Sequence, residues 1–130
     1  MKFSAASFLA LSVPLAAPAA VDSGAVDATI YKRADCLVNA KFVDVWHEDG
    51  LTRRRCDFSS ENTPASRFCK FWDQQMGANA GSNSQCWTDD NYSGHADGSW
   101  VLGAGGDASA EHTRSNALEQ WKSDTLCDTG

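Results

Sequence analysis

Apolar residues follow three different patterns along the chain. After Met1 and Lys2, an apolar run extends from Phe3 to Leu15, interrupted only by Ser4, Ser7, Ser12 and Pro14. From Leu37 to Trp46 the pattern changes to period two, with Val38, Ala40, Phe42 and Trp46 on one face and Val43 and Val45 on the other. This predicts a central, well-buried strand. Glu48-Asp49-Gly50 supplies a turn, and Leu51 to Phe58 returns as the second arm of a hairpin. Helical spacing begins after Asn62-Thr63-Pro64, where Thr63 can cap and Pro64 can take the first helical position. Ala65, Phe68, Cys69, Trp72 and Met76 then form one stripe before Gly77, predicting a helix from Pro64 to Met76. Cys86-Trp87-Thr88 reads as a short strand, Asp89 to Gly98 as a turn-rich loop, and Ser99 to Leu102 as a further strand. Gly103 to Asp107 breaks the chain again. A second helix is expected from about Ser109, with Glu111 in its first turn and Ala110, Ala117, Leu118 and Trp121 on one face. The order strand, strand, helix, strand, strand, helix describes an α+β sandwich, a mainly antiparallel sheet with two helices on one face.

The N-terminal apolar run is shorter than the roughly 20 residues of a membrane span. It is followed by the small-x-small pattern Ala17-Pro18-Ala19, which predicts a secretory signal peptide over 1–19 cut after Ala19. Residues 20–33 hold no Cys or Trp and end in Lys32-Arg33, the mark of a propeptide removed by a dibasic-specific protease. The expected product, residues 34–130, is one domain without a membrane span, acting outside the cell. It carries eight basic and fifteen acidic residues, a net charge of −7. That charge disfavours nucleic acid and anionic lipid as partners.

All five cysteines, 36, 56, 69, 86 and 127, fall in this segment. None forms a C-x-x-C pair, so the spacing suggests disulfides rather than zinc or thioredoxin chemistry. The unpaired one can be chosen in five ways and the rest paired in three, so fifteen frameworks are open. Cys36 and Cys127 can pin the two ends of the domain, and Cys69 lies on a buried stripe with Cys86 opening a strand beneath it. Cys56, after three arginines, is the expected free thiol, with a disulfide-linked dimer as its consequence if the sulfur is exposed.

Asp89, Asn91, Ser93, Gly94, His95 and Asp97 occupy positions 1, 3, 5, 6, 7 and 9 of a calcium-loop pattern, but its twelfth position is Trp100 rather than Glu. The segment therefore reads as a polar surface turn, with Asp89, Asn91, Ser93 and Asp97 the only metal candidates, and no cofactor is expected. His47, His95 and His112 each have a nearby acid, and Arg114 follows Glu111-His112. These are the residue types of a metal-independent ribonuclease: base, acid and a cation for phosphate. His47 and Glu48, adjacent on a strand, should nevertheless point to opposite faces. Arg53-Arg54-Arg55 reads as a charge-protected strand edge. The alternatives are a contact for phosphate or acidic glycan and a second dibasic cleavage site between Arg55 and Cys56. Asn91-Tyr92-Ser93 is the one N-glycosylation sequon. The five tryptophans read mostly as core, with Trp87 and Trp100, beside the polar loop, the alternatives for a carbohydrate platform.

A signal ending in Ala17-Pro18-Ala19, an acidic propeptide ending in Lys32-Arg33 and a small cysteine-rich domain together resemble the small secreted cysteine-rich proteins of filamentous fungi. That group includes plant-pathogen effectors and virus-encoded killer toxins. The resemblance implies a helix-on-sheet sandwich, sometimes ferredoxin-like, and action by binding an extracellular or host protein or glycan rather than by catalysis. The string His47-Glu48-Asp49-Gly50 also resembles a turn of small secreted fungal guanyl-specific ribonucleases, which makes a small hydrolase the alternative.

Overall fold

The computed structural model describes residues 35–130. The expected signal segment with Ala19, the propeptide with Lys32 and Arg33, and the expected new N-terminus at Ala34 lie outside them. Among the described residues are strands β1 (Leu37–Glu48) and β2 (Leu51–Glu61), helix α1 (Phe68–Ala78), strands β3 (Ser82–Asp90) and β4 (Ser93–Val101), helix α2 (Ala104–Thr125) and the short strand β5 (Asp128–Thr129). The sheet order is β3-β4-β2-β1-β5, antiparallel throughout except for the β1–β5 pair. This is the α+β order read from the sequence, with a two-residue strand added at the edge. A ferredoxin-like fold interleaves its elements as β-α-β-β-α-β, whereas here each helix follows a complete hairpin.

Asp49 and Gly50 have φ of 54° and 77°, the pair of positive values that closes a two-residue hairpin, so Glu48 pairs with Leu51. Within β1 the register passes from Phe42 opposite Cys56 to Asp44 opposite Arg55, leaving Val43 as an extra residue. This bulge inverts the alternation. Val38 and Ala40 stay on the helix side and are buried, but Trp46 moves to the other face, not into the core as its spacing predicts. Nor is β1 central: its outer side meets β5 only at Leu37 and Val38, and β2 takes the middle of the sheet. The three arginines therefore lie on an interior strand rather than an edge.

The core fills the space between one sheet face and both helices. Phe58 stacks on Phe68 at 4.5 Å and meets Trp121 at 6.1 Å, and Trp72 packs edge-on to Trp100 at 6.2 Å. These rings are all essentially solvent-free, and each contributes about 2–3 kcal/mol by burial. Trp100 is thus core and not part of a platform. The stretch expected to be a loop, Asp89 to Gly98, instead holds the end of β3, the turn and most of β4. Its glycine content misleads because Gly94 sits under Phe58, whose ring fills the space a Cβ would need.

Both helices differ from expectation at their starts. Residues 62–67 tie β2 to the β3–β4 turn: the Ser60 hydroxyl donates to the Thr63 carbonyl, and the Ala65 amide to that of Asn91. Thr63 is therefore not a cap, and α1 begins at Phe68 without a side-chain cap. It continues through Gly77 to Ala78, where the Asn79 amide and side chain both donate to the Gln75 carbonyl. Helix α2 begins at Ala104, five residues before Ser109, where Asp107 in its first turn accepts from Arg54 at 2.6 Å. Cys36 is bonded to Cys127 and Cys69 to Cys86, one bridge beside β5 and the other joining α1 to β3. No helix among the described residues is long and apolar enough to cross a membrane.

Candidate functional site

The sheet face away from the helices carries a layer of ordered polar and aromatic side chains. Strand register puts them in rows: Asp44, Arg55, Asp97 and Gln85 in one, Asp57, His95 and Trp87 in the next, and Trp46, Arg53 and Ser99 in a third. Arg-x-Arg-x-Asp in β2 and His-x-Asp-x-Ser in β4 both place every second residue on this face.

Asp97 is the centre of the layer. Its side chain is 3% exposed and accepts two bonds from Arg55, Nε to Oδ1 and Nη2 to Oδ2, both 2.8 Å. Arg53 Nη2 lies 3.7 Å from the same carboxylate. Arg53 is itself buried and donates to the Asn83 carbonyl, Ser99 Oγ and Gln85 Oε1 at 2.9 to 3.0 Å. A buried carboxylate held by two guanidinium groups is the condition under which such a charge is tolerated. The hydrogen bond with Asp97, aided by the charges of Asp97, Asp57 and Asp44, raises the Arg55 pKa above its usual value despite some desolvation. Two indoles flank Arg55, with ring centres 5.8 Å (Trp46) and 5.3 Å (Trp87) from the guanidinium carbon. Trp46 Nε1 donates to Glu48 at 3.3 Å.

His95 lies beside this group, its ring 5.5 Å from that of Trp87. Nδ1 is 2.7 Å from Asp57 Oδ1 and Nε2 is 2.8 Å from Asp89 Oδ2. Both contacts are donor hydrogen bonds when the ring carries two protons. The sequence-selected histidines do not converge. His47 is exposed near the end of β1 on the opposite side of the strand from Glu48, and His112 is exposed on α2 in the helix layer. Arg114 does not serve a histidine: it pairs with Glu111 at 2.6 Å and donates to the Ala40 carbonyl at 2.9 Å.

The calcium-loop pattern is not a loop. Asp89 and Asp97 belong to facing strands and are committed to His95 and to the arginines. Asp90, outside the pattern, accepts from the Tyr92 amide and the Ser93 hydroxyl, which lowers its pKa. Among the described residues no three His, Cys, Asp or Glu side chains are grouped to hold a metal. Asn91 is exposed in the two-residue β3–β4 turn.

Cys56 is the free thiol and is fully buried. Desolvation pushes its pKa up to about 12, outweighing the opposing charge of Arg114. Arg53 and Arg55 lie on the open face and Arg54 pairs with Asp107, so they do not activate the sulfur, and the folded domain presents no thiol for a disulfide-linked dimer. The Arg55-Cys56 bond, the alternative second cleavage point, is in mid-strand with β1 and β4 paired on either side.

Sequence reading put Trp46 in the core and left Arg53 to Arg55 as a protected edge or an anion contact; it missed Trp46 on the open face and the arginine pair on Asp97. The signal was present as period-two polar alternation in 53–57 and 95–99, and it becomes readable once 93–101 is taken as a strand. Compared with protein-family models and with curated proteins, the chain matches neither.

Proposed function

We propose that the chain is the precursor of a secreted, cysteine-stabilised protein of the fungal effector or killer-toxin kind, which binds an extracellular or host macromolecule without catalysis. The supporting observation is the open sheet face, where a rigid polar layer lies between two partly exposed indoles while the three histidines stay apart. The two disulfides and the acidic surface suit a protein working outside a cell. The purified product of residues 34–130 should attach saturably to the cell surface of a host or competitor and leave RNA intact. Attachment that persists unchanged in a Trp46→Ala, Trp87→Ala double variant would remove the open face from the reading.

One observation favours a small hydrolase, chiefly a ribonuclease, as the second reading. His95 is fixed between two carboxylates, in the strand row next to that of Arg55. Cleavage of RNA by the purified protein, abolished in His95→Ala, would establish it.

A further inference from the structure

The diagonal from Trp46 through Arg55 to Trp87 crosses the open face and is furnished for one class of ligand. We propose that it is a glycan-binding platform selective for neutral pyranose chains; this rests on the open face being the binding surface. Trp87 is 38% exposed and Trp46 partly exposed, each offering apolar ring area on an otherwise charged face. The C–H side of a pyranose ring stacks on such an indole, and the ring's hydroxyls need donors and acceptors close by.

Arg55 supplies the donors. Its Nε and Nη2 are committed to Asp97, while Nη1 makes no protein hydrogen bond among the described residues, on a guanidinium whose carbon lies 5.8 Å and 5.3 Å from the two indole centres. Acceptors stand beside it, with Asp44 exposed and opposite Arg55 on β1, and Asp57 and Asp89 at His95. A hydroxyl both donates and accepts, so sugar can use this mixed edge, whereas a phosphate or carboxylate cannot use the acids. The charge balance points the same way. Arg53 and Arg55 share Asp97, the charges of Asp57 and Asp44 act on Arg55, Glu48 lies 3.9 Å from Arg53, and the whole chain has a net charge of −6, so a polyanion is not attracted. Charged side chains rather than aliphatic ones fill the centre of the face, unlike the core of a protein interface. The Asp97 clamp fixes the guanidinium beforehand, which lowers the ordering cost of binding.

The test is titration of the purified protein with neutral gluco-, chito- and manno-oligosaccharides, followed by tryptophan fluorescence and calorimetry. At least one series should bind saturably. Trp87→Ala and Trp46→Ala should each weaken it by about tenfold or more, while Trp87→Phe retains part of the affinity. Thermal unfolding checks that each variant is folded. Attachment to the target surface should survive protease treatment of that surface and be lost after periodate oxidation of its vicinal diols. If no neutral series binds, or if RNA, oligogalacturonate or a surface protein is bound instead, the glycan assignment is overturned. In that case loss of attachment in the tryptophan variants leaves the open face standing as the binding surface, and unchanged attachment rejects both.

Discussion

Asp97 shows at the residue scale how one side chain can be read for the wrong chemistry. In the sequence it stands at a position of a calcium-ligand pattern; in the fold it is the buried counter-charge of Arg53 and Arg55. Spacing alone does not distinguish these roles, because oxygen ligands at every second position of a loop and side chains on one face of a strand share the period of two. Asp97→Asn leaves two guanidinium groups without their shared anion and should cost about 3 kcal/mol, read as a lower urea midpoint. Cys56 leads to a different residue-level expectation. A thiol pushed up to about 12 by burial stays protonated and shielded, so the native protein should not react with a thiol reagent at neutral pH. One equivalent should react on unfolding in denaturant without reductant. Rapid labelling of the folded protein would contradict the burial of this sulfur.

At the scale of elements, the hairpin turn and the helical stripes were legible because their signals are local. Asp49-Gly50 suits only a few backbone shapes, and Phe68, Trp72 and Met76 keep helical spacing whatever surrounds them. The bulge at Val43, the start of α1 and the β3–β4 hairpin were not legible, since each depends on a distant partner: Cys56 and Arg55, the Asn91 carbonyl, and the Phe58 ring. The two bridges hold these elements together unequally. With separations of 17 and 91 residues, the chain-entropy relation gives roughly 3 kcal/mol for Cys69–Cys86 and roughly 4.5 kcal/mol for Cys36–Cys127. Replacing both members of a pair by Ala should thus lower the unfolding free energy more for 36 and 127, and the reverse order would show that loop length does not govern their effect. Helix α2 is also tied to β1 through Arg114, whose hydrogen bond to Glu111 lowers that acid's pKa below its ordinary 4.5. A depressed folded value means stability that is present above pH 4.5 and lost as pH falls through the folded pKa. Glu111→Gln should therefore flatten the acid limb of a stability-pH curve, and an unchanged limb would show that the pair contributes nothing.

For the whole molecule, the layered α+β arrangement followed from element order, while the identity of the exposed sheet face did not. That face is defined by pairing between residues far apart in sequence, such as Asp57 opposite His95, 38 residues on, which no local window contains. A net-acidic protein bound to an uncharged partner also implies a salt response. Between low and above-physiological ionic strength the affinity should change by less than about twofold, and a steep fall would instead indicate counterion release from a polyanion. The bridge between Cys36 and Cys127 has a further consequence for the molecule as a topological object. It makes residues 36–127 a covalent ring, with Cys69–Cys86 as a chord across it. No single backbone cut within the ring separates it into pieces. A nick at the exposed Asp49 or Asn91 turn leaves one molecule whose mass rises only by a water, and fragments part only on reduction. Durability in a protease-rich medium then depends on keeping the ring oxidised rather than on keeping every peptide bond intact.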